Sequence, residues 1–317
     1  MRRSHSVYGI FARLMLAIPA LAQEGRPANP SVPACDTALA VESCAPNARY
    51  RDAIEHAESL GMRLFRHDTA AWLTTDALRD AGAFESIPGR GAGWLTEDRD
   101  DGIWVGYFSE IDGQPAVFAE ATRARESQQV LGAQRLAHPR PATVRQRQQL
   151  AARATAIATG PLRCTDAPFN TIILDADAGA TPGIQVFLLS AMTDTSLPLG
   201  GFHRFRTSSD GARVIEHYAQ TRGCLVGDAG KVNELAAMTV SHLTSPTPTE
   251  FHVFASLTYD KPVLVLTMEN GLLWIVDRGA ISELVEPDPR YEVGRQWRDE
   301  VMRADGESGD SSTPSPP

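Results

Sequence analysis

Apolar residues recur every three or four positions from about Tyr50 to Leu78, a spacing that predicts an amphipathic helix. The stripe consists of Ile54, Ala57, Leu60, Leu64, Ala71, Trp72 and Leu78. Gly61 interrupts the pattern. Because glycine weakens a helix interior, the segment is expected to form either one kinked helix or two helices.

After Gly82 the pattern changes to short runs rich in β-formers, at Gly93–Glu97, Ile103–Ser109 and Ala116–Thr122. The turn sequences Asp100-Asp101-Gly102 and Asp112-Gly113 separate these runs. Residues 48–122 are therefore predicted to be a small module, in which the helix packs on a three-stranded meander.

Residues 123–160 carry few large apolar side chains and are interpreted as a connector. Pro139 and Pro141 precede a predicted helix from Thr143 to Ala158. Its apolar stripe is narrow, with Leu150, Ala154 and Ile157.

Residues 161–286 are predicted to form a larger β module with mostly short connections. Neighbours joined by short connections pair antiparallel, because a parallel crossover needs a dozen or more residues. A mainly antiparallel sandwich or open barrel is expected, which makes the fold class α+β. A helix is the alternative at 237–243. The predicted strands are Asn170–Leu174, Ile184–Ser190, Phe202–Ser208, Ala212–Gln220, Ala237–Leu243, Phe251–Thr258, Val263–Met268 and Leu272–Asp277. Residues 287–317 are expected to be a short helix and a disordered tail.

The hairpin at 202–218 is the most informative local feature. A three-residue loop, Ser209-Asp210-Gly211, places Gly211 in the left-handed position of a turn with a bulge. In that register Phe202 faces Tyr218, Arg204 faces Glu216 and Phe205 faces Ile215. These pairs join aromatic, apolar or oppositely charged side chains, so they are more favourable than the pairs that a two-residue or a four-residue loop would form. The same register sets His203 directly opposite His217.

Two imidazoles at a cross-strand site lie close enough to share a metal ion. His242 and His252 are on nearby segments and could supply a third ligand. The predicted metal-ligating residues are therefore His203, His217, His242 and His252, and a transition metal is the one cofactor that the sequence suggests. The alternative is that these histidines are partly buried, fill space and hydrogen-bond the backbone.

The first 22 residues have the three parts of a secretory signal peptide. Arg2, Arg3 and Arg13 form a basic head, Leu14 to Ala22 is apolar, and Ala20-Leu21-Ala22 has the small residues of a cleavage site. A buried N-terminal helix is the alternative. Residues 23–47 are rich in Pro, Ala, Asn and Ser and are interpreted as an extended lead-in. The mature chain is therefore expected to be periplasmic or secreted.

Charge and hydropathy narrow the class of partner. The formal net charge is −9, and removing the three arginines of residues 1–22, which contain no acid, gives −12. An acidic chain repels nucleic acid, so no nucleic-acid partner is predicted. No segment after residue 22 reaches the length of about 20 apolar residues that spans a bilayer. No transmembrane segment is therefore predicted in the mature chain.

The four cysteines, Cys35, Cys44, Cys164 and Cys224, agree with export. An even number in an exported chain predicts two disulfides, with three possible pairings. We favour Cys35–Cys44 and Cys164–Cys224. The absence of C-x-x-C argues against a thioredoxin-like redox motif and against cysteine-bound zinc.

Two functional hypotheses follow. The first is a non-catalytic exported protein that binds a protein or small-molecule partner through the β module. The second is a hydrolase or metal-dependent enzyme built around the histidines of that module. The sequence contains no G-x-S-x-G, Walker A or H-E-x-x-H motif. The hypotheses differ in whether His203 and His217 converge with His242 or His252 in one site.

Overall fold

The computed structural model describes residues 45–175 and 182–283, and from Arg49 onward these belong to one compact unit. The predicted α+β class is confirmed. The predicted signal peptide, most of the predicted lead-in and the predicted C-terminal helix and tail lie outside the described residues. The last three residues of the lead-in are helical, since α1 begins at Ala45.

One uninterrupted helix, α1 (Ala45–Asp80), replaces the predicted kinked helix or helix pair. Its 36 residues give a length of about 54 Å. Three stretches of α1 contribute to three different apolar clusters, listed here from its N-terminus: Tyr50, Ile54 and Ala57; Leu60 and Leu64; Ala70 and Leu78. Trp72, assigned to the apolar stripe from sequence, is 60% exposed.

The first sheet has four antiparallel strands in sequence order, one more than the predicted meander. The strands are β1 (Arg90–Arg99), β2 (Gly102–Ile111), β3 (Gln114–Ala124) and β4 (Val130–Pro141). β4 falls in the predicted connector, because its sequence lacks alternating apolar residues. Its side chains are mostly exposed. It lies at the sheet edge, where Pro139 and Pro141 are tolerated since an edge leaves backbone donors unpaired.

The connector helix is confirmed as α2 (Val144–Ala158). Thr143 caps it with a capping box, in which Gln146 N donates to Thr143 Oγ1 and Thr143 N donates to Gln146 Oε1. Ala152 and Ala156 of α2 pack in a cluster shared by the first and second sheets.

The second sheet contains β5 (Asn170–Asp175), β6 (Ile184–Leu189), β8 (Phe202–Thr207) and β9 (Val214–Ala219), in the order β5-β6-β8-β9. β7 (Ser196–Pro198) and β10 (Val226–Asp228) form a separate antiparallel ribbon. A 3₁₀ turn, Ala229–Glu234, follows the ribbon. Both faces of the second sheet are covered, one by α1 and α3 (Glu250–Thr258), the other by α2 and the first sheet.

The predicted register of the β8–β9 hairpin is wrong by two residues. Arg204 pairs with Tyr218, Phe205 with His217 and Arg206 with Glu216, while His203 lies opposite Ala219. Thr207 then pairs with Val214, which leaves Ile215 as a bulge.

The hairpin loop explains the shift. Gly211 has the predicted left-handed conformation, with φ +76°. It is pressed against α2, because an added Cβ would lie 2.3 Å from Gln148 O, and Thr155 Oγ1 donates to Gly211 O over 2.8 Å. This tertiary contact determines the position of the loop, and it does not depend on how favourable the cross-strand side-chain pairs are.

The third sheet is mixed, with the order β11-β12-β13-β14. Its strands are β11 (Met238–His242), β12 (Val263–Thr267), β13 (Leu272–Asp277) and β14 (Ala280–Glu283). β11 confirms the strand predicted at Ala237–Leu243, but it pairs parallel with β12. The predicted strand Phe251–Thr258 is wrong, since this segment is the crossover helix α3, buried on nearly every side.

Candidate ligand cleft and histidine pairs

A cleft of about 450 Å³ opens beside the β8–β9 hairpin. The residues that line it are mostly polar: His56, Gln185, Arg204, Arg206, Glu216, His217 and Tyr218, together with Phe205. The side chains of Phe205 and His217 point to the opposite face of the sheet. Strand alternation places Arg204 and Arg206 on the same face of β8, with Tyr218 and Glu216 opposite them on β9. His56 reaches the cleft from α1.

Arg204 is anchored at one side by a buried acid. Its Nη1 donates to Glu250 Oε1 over 2.7 Å, and Glu250 is only 3% exposed. The guanidinium also lies 5.1 Å from the centre of the Tyr218 ring, in a cation–π contact. Burial raises the pKa of Glu250, and the ion pair with Arg204 acts in the opposite direction. This arrangement holds the arginine at the wall of the cleft.

Arg206 forms a more exposed pair with Glu216, which accepts from both Nε and Nη2 of the guanidinium. The bonds from Arg206 lower the pKa of Glu216. Since most of the Arg206 fork is used by Glu216, Arg204 is the arginine with more donor capacity left for a ligand.

The structure brings His203 and His217 together, although not as directly opposed residues. His203 Nδ1 lies 3.1 Å from His217 Nε2 across a diagonal of the hairpin. His217 stacks on Phe205 with ring centres 4.1 Å apart, and Phe169 meets the His203 ring edge-on. His203 is buried, whereas His217 is exposed.

The hydrogen bonds assign the tautomers of this pair. His203 Nε2 lies 2.8 Å from the Leu162 carbonyl, which can only accept, so Nε2 carries the proton. Nδ1 of neutral His203 is then an acceptor, and His217 Nε2–H donates to it. Burial lowers the pKa of both histidines, which favours the neutral pair.

His242 and His252 form a second pair, with ring centres 4.7 Å apart and planes nearly perpendicular. Burial lowers the pKa of His242 to about 4 and the pKa of His252 well below its ordinary range. His252 Nδ1 accepts from the backbone N–H of Thr249 over 3.0 Å. These two rings are therefore neutral groups in the interior.

A hydroxyl chain runs from the cleft towards His242. The hydroxyl groups of Tyr218 and Thr244 lie 2.7 Å apart, and Thr244 Oγ1 donates to Gln220 O. His242 Nε2 lies 2.8 Å from Ser245 Oγ. The Ser245 hydroxyl itself donates to Thr247 O over 2.6 Å, so it accepts from His242. A nucleophilic serine would instead donate to its histidine.

The four histidines predicted as ligands thus occur as two pairs. Within residues 45–175 and 182–283, no group of three or more His, Cys, Asp or Glu side chains is arranged to hold a metal ion. A metal at these histidines stays a prediction, now for a site with two protein ligands.

Cys164 and Cys224 form the favoured disulfide and close a loop across a sequence separation of 60. Cys164 lies two residues after Leu162, whose carbonyl accepts from His203. Cys164 N also donates to Ser190 Oγ over 3.0 Å. The bond therefore fastens the segment that covers the buried histidine. Cys35 and Cys44 lie outside the described residues.

His67 joins α1 to the first sheet. Its Nδ1 lies 2.8 Å from Thr96 Oγ1 and its Nε2 lies 3.3 Å from Asp98 Oδ2. This order of groups resembles a nucleophile–base–acid chain, but Thr96 is buried. The bond to His67 lowers the pKa of Asp98. The chain links two elements and offers no reactive oxygen to a substrate.

Arg204, Tyr218 and His56 were not predicted from the sequence as cleft residues, nor was Glu250 as the partner of Arg204. The alternation of Phe-His-Arg-Phe-Arg already places Arg204 and Arg206 together on one strand face, which is a usable signal. No local pattern relates Glu250 or His56 to that face, because they come from α3 and α1.

Comparison with known proteins leaves the function to the geometry. No family model, curated protein or solved structure matches this chain. The described residues form an α+β protein with three four-stranded sheets and one disulfide. No helix in residues 45–175 and 182–283 is both long and apolar enough to cross a membrane.

Proposed function

We propose that the protein is an exported binding protein, periplasmic or secreted, that holds a small carboxylate-bearing molecule in the cleft beside the β8–β9 hairpin. Binding involves no chemical step on the ligand. The observation that carries the proposal is Arg204, which is fixed by the buried Glu250 and lines the cleft.

Arginine suits a carboxylate because its planar fork donates two parallel hydrogen bonds. Arg204 uses Nη1 for Glu250, which leaves further N–H groups for a ligand. Since the ion pair and the Tyr218 ring already hold the guanidinium, little side-chain freedom is lost on binding. The site is thus prepared before the ligand arrives.

The rest of the wall favours a polar ligand. His56 and Gln185 supply hydrogen-bonding groups beside Arg204 and Tyr218. The volume of about 450 Å³ lies within the range of about 300–1,000 Å³ for small-molecule sites. The two acids of the region, Glu216 and Glu250, are each paired with an arginine, so they compete little with a bound anion.

Export is supported by the Cys164–Cys224 disulfide, since such bonds persist in oxidising compartments. The basic head, apolar core and Ala-Leu-Ala ending of residues 1–22 support the same location. Fractionation of cells that express the full-length chain would distinguish the periplasm from full secretion.

Binding can be tested by thermal unfolding of the protein with succinate, glutamate, inorganic phosphate or glucose. At least one carboxylate is expected to raise the midpoint, and glucose is not. Arg204→Lys keeps the positive charge that Glu250 needs but removes the planar fork, so carboxylate affinity should fall about tenfold or more.

Arg140→Lys is the matched control, because Arg140 pairs with Glu120 on the first sheet. It should bind like the unaltered protein. A midpoint raised by glucose alone, or a carboxylate affinity unchanged in Arg204→Lys, would refute the proposal. NMR spectra of the ligand after long incubation should show no product, and turnover would refute the non-catalytic part.

A further inference from the structure

The His203–His217 pair has a geometry that the carboxylate cleft does not require. The two facing nitrogens, Nδ1 of His203 and Nε2 of His217, are 3.1 Å apart. Two nitrogens on a tetrahedral zinc ion lie about 3.3 Å apart, since each bond is about 2.0–2.1 Å. Neighbouring nitrogens on a square-planar copper ion lie about 2.8 Å apart. The observed separation falls between these values.

We propose that His203 and His217 bind one divalent first-row metal ion, Cu(II) or Zn(II), through Nδ1 and Nε2. The ion replaces the hydrogen bond that joins the two rings. His217 changes tautomer when the ion enters, so that its proton moves from Nε2 to Nδ1. No net proton is lost, and solvent fills the remaining coordination positions.

The surroundings of His203 are those of a metal ligand. Its second nitrogen, Nε2, donates to the Leu162 backbone carbonyl over 2.8 Å. Such a bond fixes the tautomer, orients the ring and leaves Nδ1 unprotonated, so that its lone pair can coordinate a metal ion. The Cys164–Cys224 disulfide fastens the Leu162 segment two residues away. This ligand therefore needs no rearrangement to bind.

His217 supplies access and rigidity. The residue is exposed, so an ion can reach the pair from solvent. Its ring is stacked on Phe205, with the two planes 3° apart, which limits ring rotation.

Two protein ligands predict moderate affinity and vacant positions on the ion. Imidazole suits both metals, and copper binds more tightly than zinc at the same ligands. This site would hold an exchangeable ion whose remaining positions face incoming ligands. The inference does not depend on carboxylate binding at Arg204.

The test is calorimetric titration of the untagged, metal-stripped protein with Cu(II) and then Zn(II), in a buffer free of carboxylates. The protein should bind one Cu(II) with micromolar affinity and Zn(II) more weakly. His217→Ala should weaken copper binding at least tenfold. Because His217 is exposed, this variant is expected to fold.

His138→Ala is the matched control, since His138 is another exposed histidine on a strand, in β4. It should retain full affinity. Electron paramagnetic resonance of the copper complex should show coupling to two imidazole nitrogens, reduced to one in His217→Ala. No binding at 1 mM Cu(II), or equal binding by His217→Ala, would overturn the proposal.

Discussion

Gly61 of α1 lies so close to Val253 of α3 that an added Cβ would fall 2.4 Å from the Val253 Cβ. The same added atom would lie 2.7 Å from the Glu250 carbonyl oxygen. Gly61 is thus the point where the two helices touch, which explains a glycine in the interior of an unbroken helix. The contact also sets the position of Glu250, and through it that of Arg204.

Gly61→Ala tests this contact against helix propensity. Propensity alone predicts a gain of about 1 kcal/mol, because alanine favours helix. We expect instead a loss of about 1–3 kcal/mol in the free energy of unfolding, since the helices must separate to admit the methyl group. Urea unfolding measures the change. Gly91→Ala, where an added Cβ meets no atom within 4 Å, should change stability far less. A stabilised Gly61→Ala protein would contradict the close crossing.

The ion pair of Arg204 with the buried Glu250 should show strong coupling. Arg204→Met leaves a buried carboxylate without its partner, which costs about 3–5 kcal/mol. The double variant Arg204→Met/Glu250→Met should recover most of this loss, since no charge is then left buried. The pair Arg206–Glu216 is the control, and Arg206→Met should cost much less than Arg204→Met, because Glu216 is exposed. Additive effects of the two methionine substitutions would mean that the pair is not coupled.

Acid should destabilise the protein through His242. Its pKa is about 4 in the folded state and near the ordinary value of 6.5 when unfolded, so the unfolded state takes up the proton first. The resulting contribution to stability is present above pH 6.5 and is lost as the pH falls towards 4. It amounts to on the order of 3 kcal/mol.

Asp68 acts in the opposite direction. Burial raises its pKa to about 6, so its neutral form favours folding as the pH falls below 6.

His242→Gln isolates the histidine contribution, because glutamine keeps a donor for Ser245 but does not titrate. Unfolding in urea at pH 7, 6, 5 and 4.5 should give a shallower pH dependence for this variant. Parallel curves for the two proteins would show that His242 does not titrate between the two states.

The Cys164–Cys224 disulfide should contribute about 4 kcal/mol, since it closes a loop across a separation of 60 residues. The paired variant Cys164→Ser/Cys224→Ser should therefore unfold at a lower temperature than the oxidised protein. Adding dithiothreitol to this variant tests whether the predicted Cys35–Cys44 bond forms and adds to stability. A variant as stable as the oxidised protein would show that the bond does not constrain the unfolded chain.

The histidine pair shows how a wrong register can still give a useful site prediction. The expected and observed registers differ by two residues, and a shift of two keeps every side chain on the same face of the sheet. His203 and His217 therefore remained neighbours, diagonally instead of directly opposed. The bulge at Ile215 and the contact of Gly211 with α2 were not readable from strand pairing.

The failures at α3 and β4 have different causes. Residues 251–258 form an apolar run, and a buried helix and a buried strand look alike in such a segment. β4 is an edge strand whose backbone pairs with β3 while most of its side chains face solvent. Its pairing depends on the neighbouring strand and leaves little trace in its own composition.

The span of α1 determines when this chain can finish folding. Tyr50 accepts a hydrogen bond from Asn270 across 220 residues, and Glu58 accepts one from the Ile281 backbone across 223. These contacts of the first turns of α1 can form only after the last strands of the third sheet have been synthesised. Contacts of such high sequence separation make folding slow. A chain truncated before β13 therefore lacks the partners that hold the first turns of α1 in place.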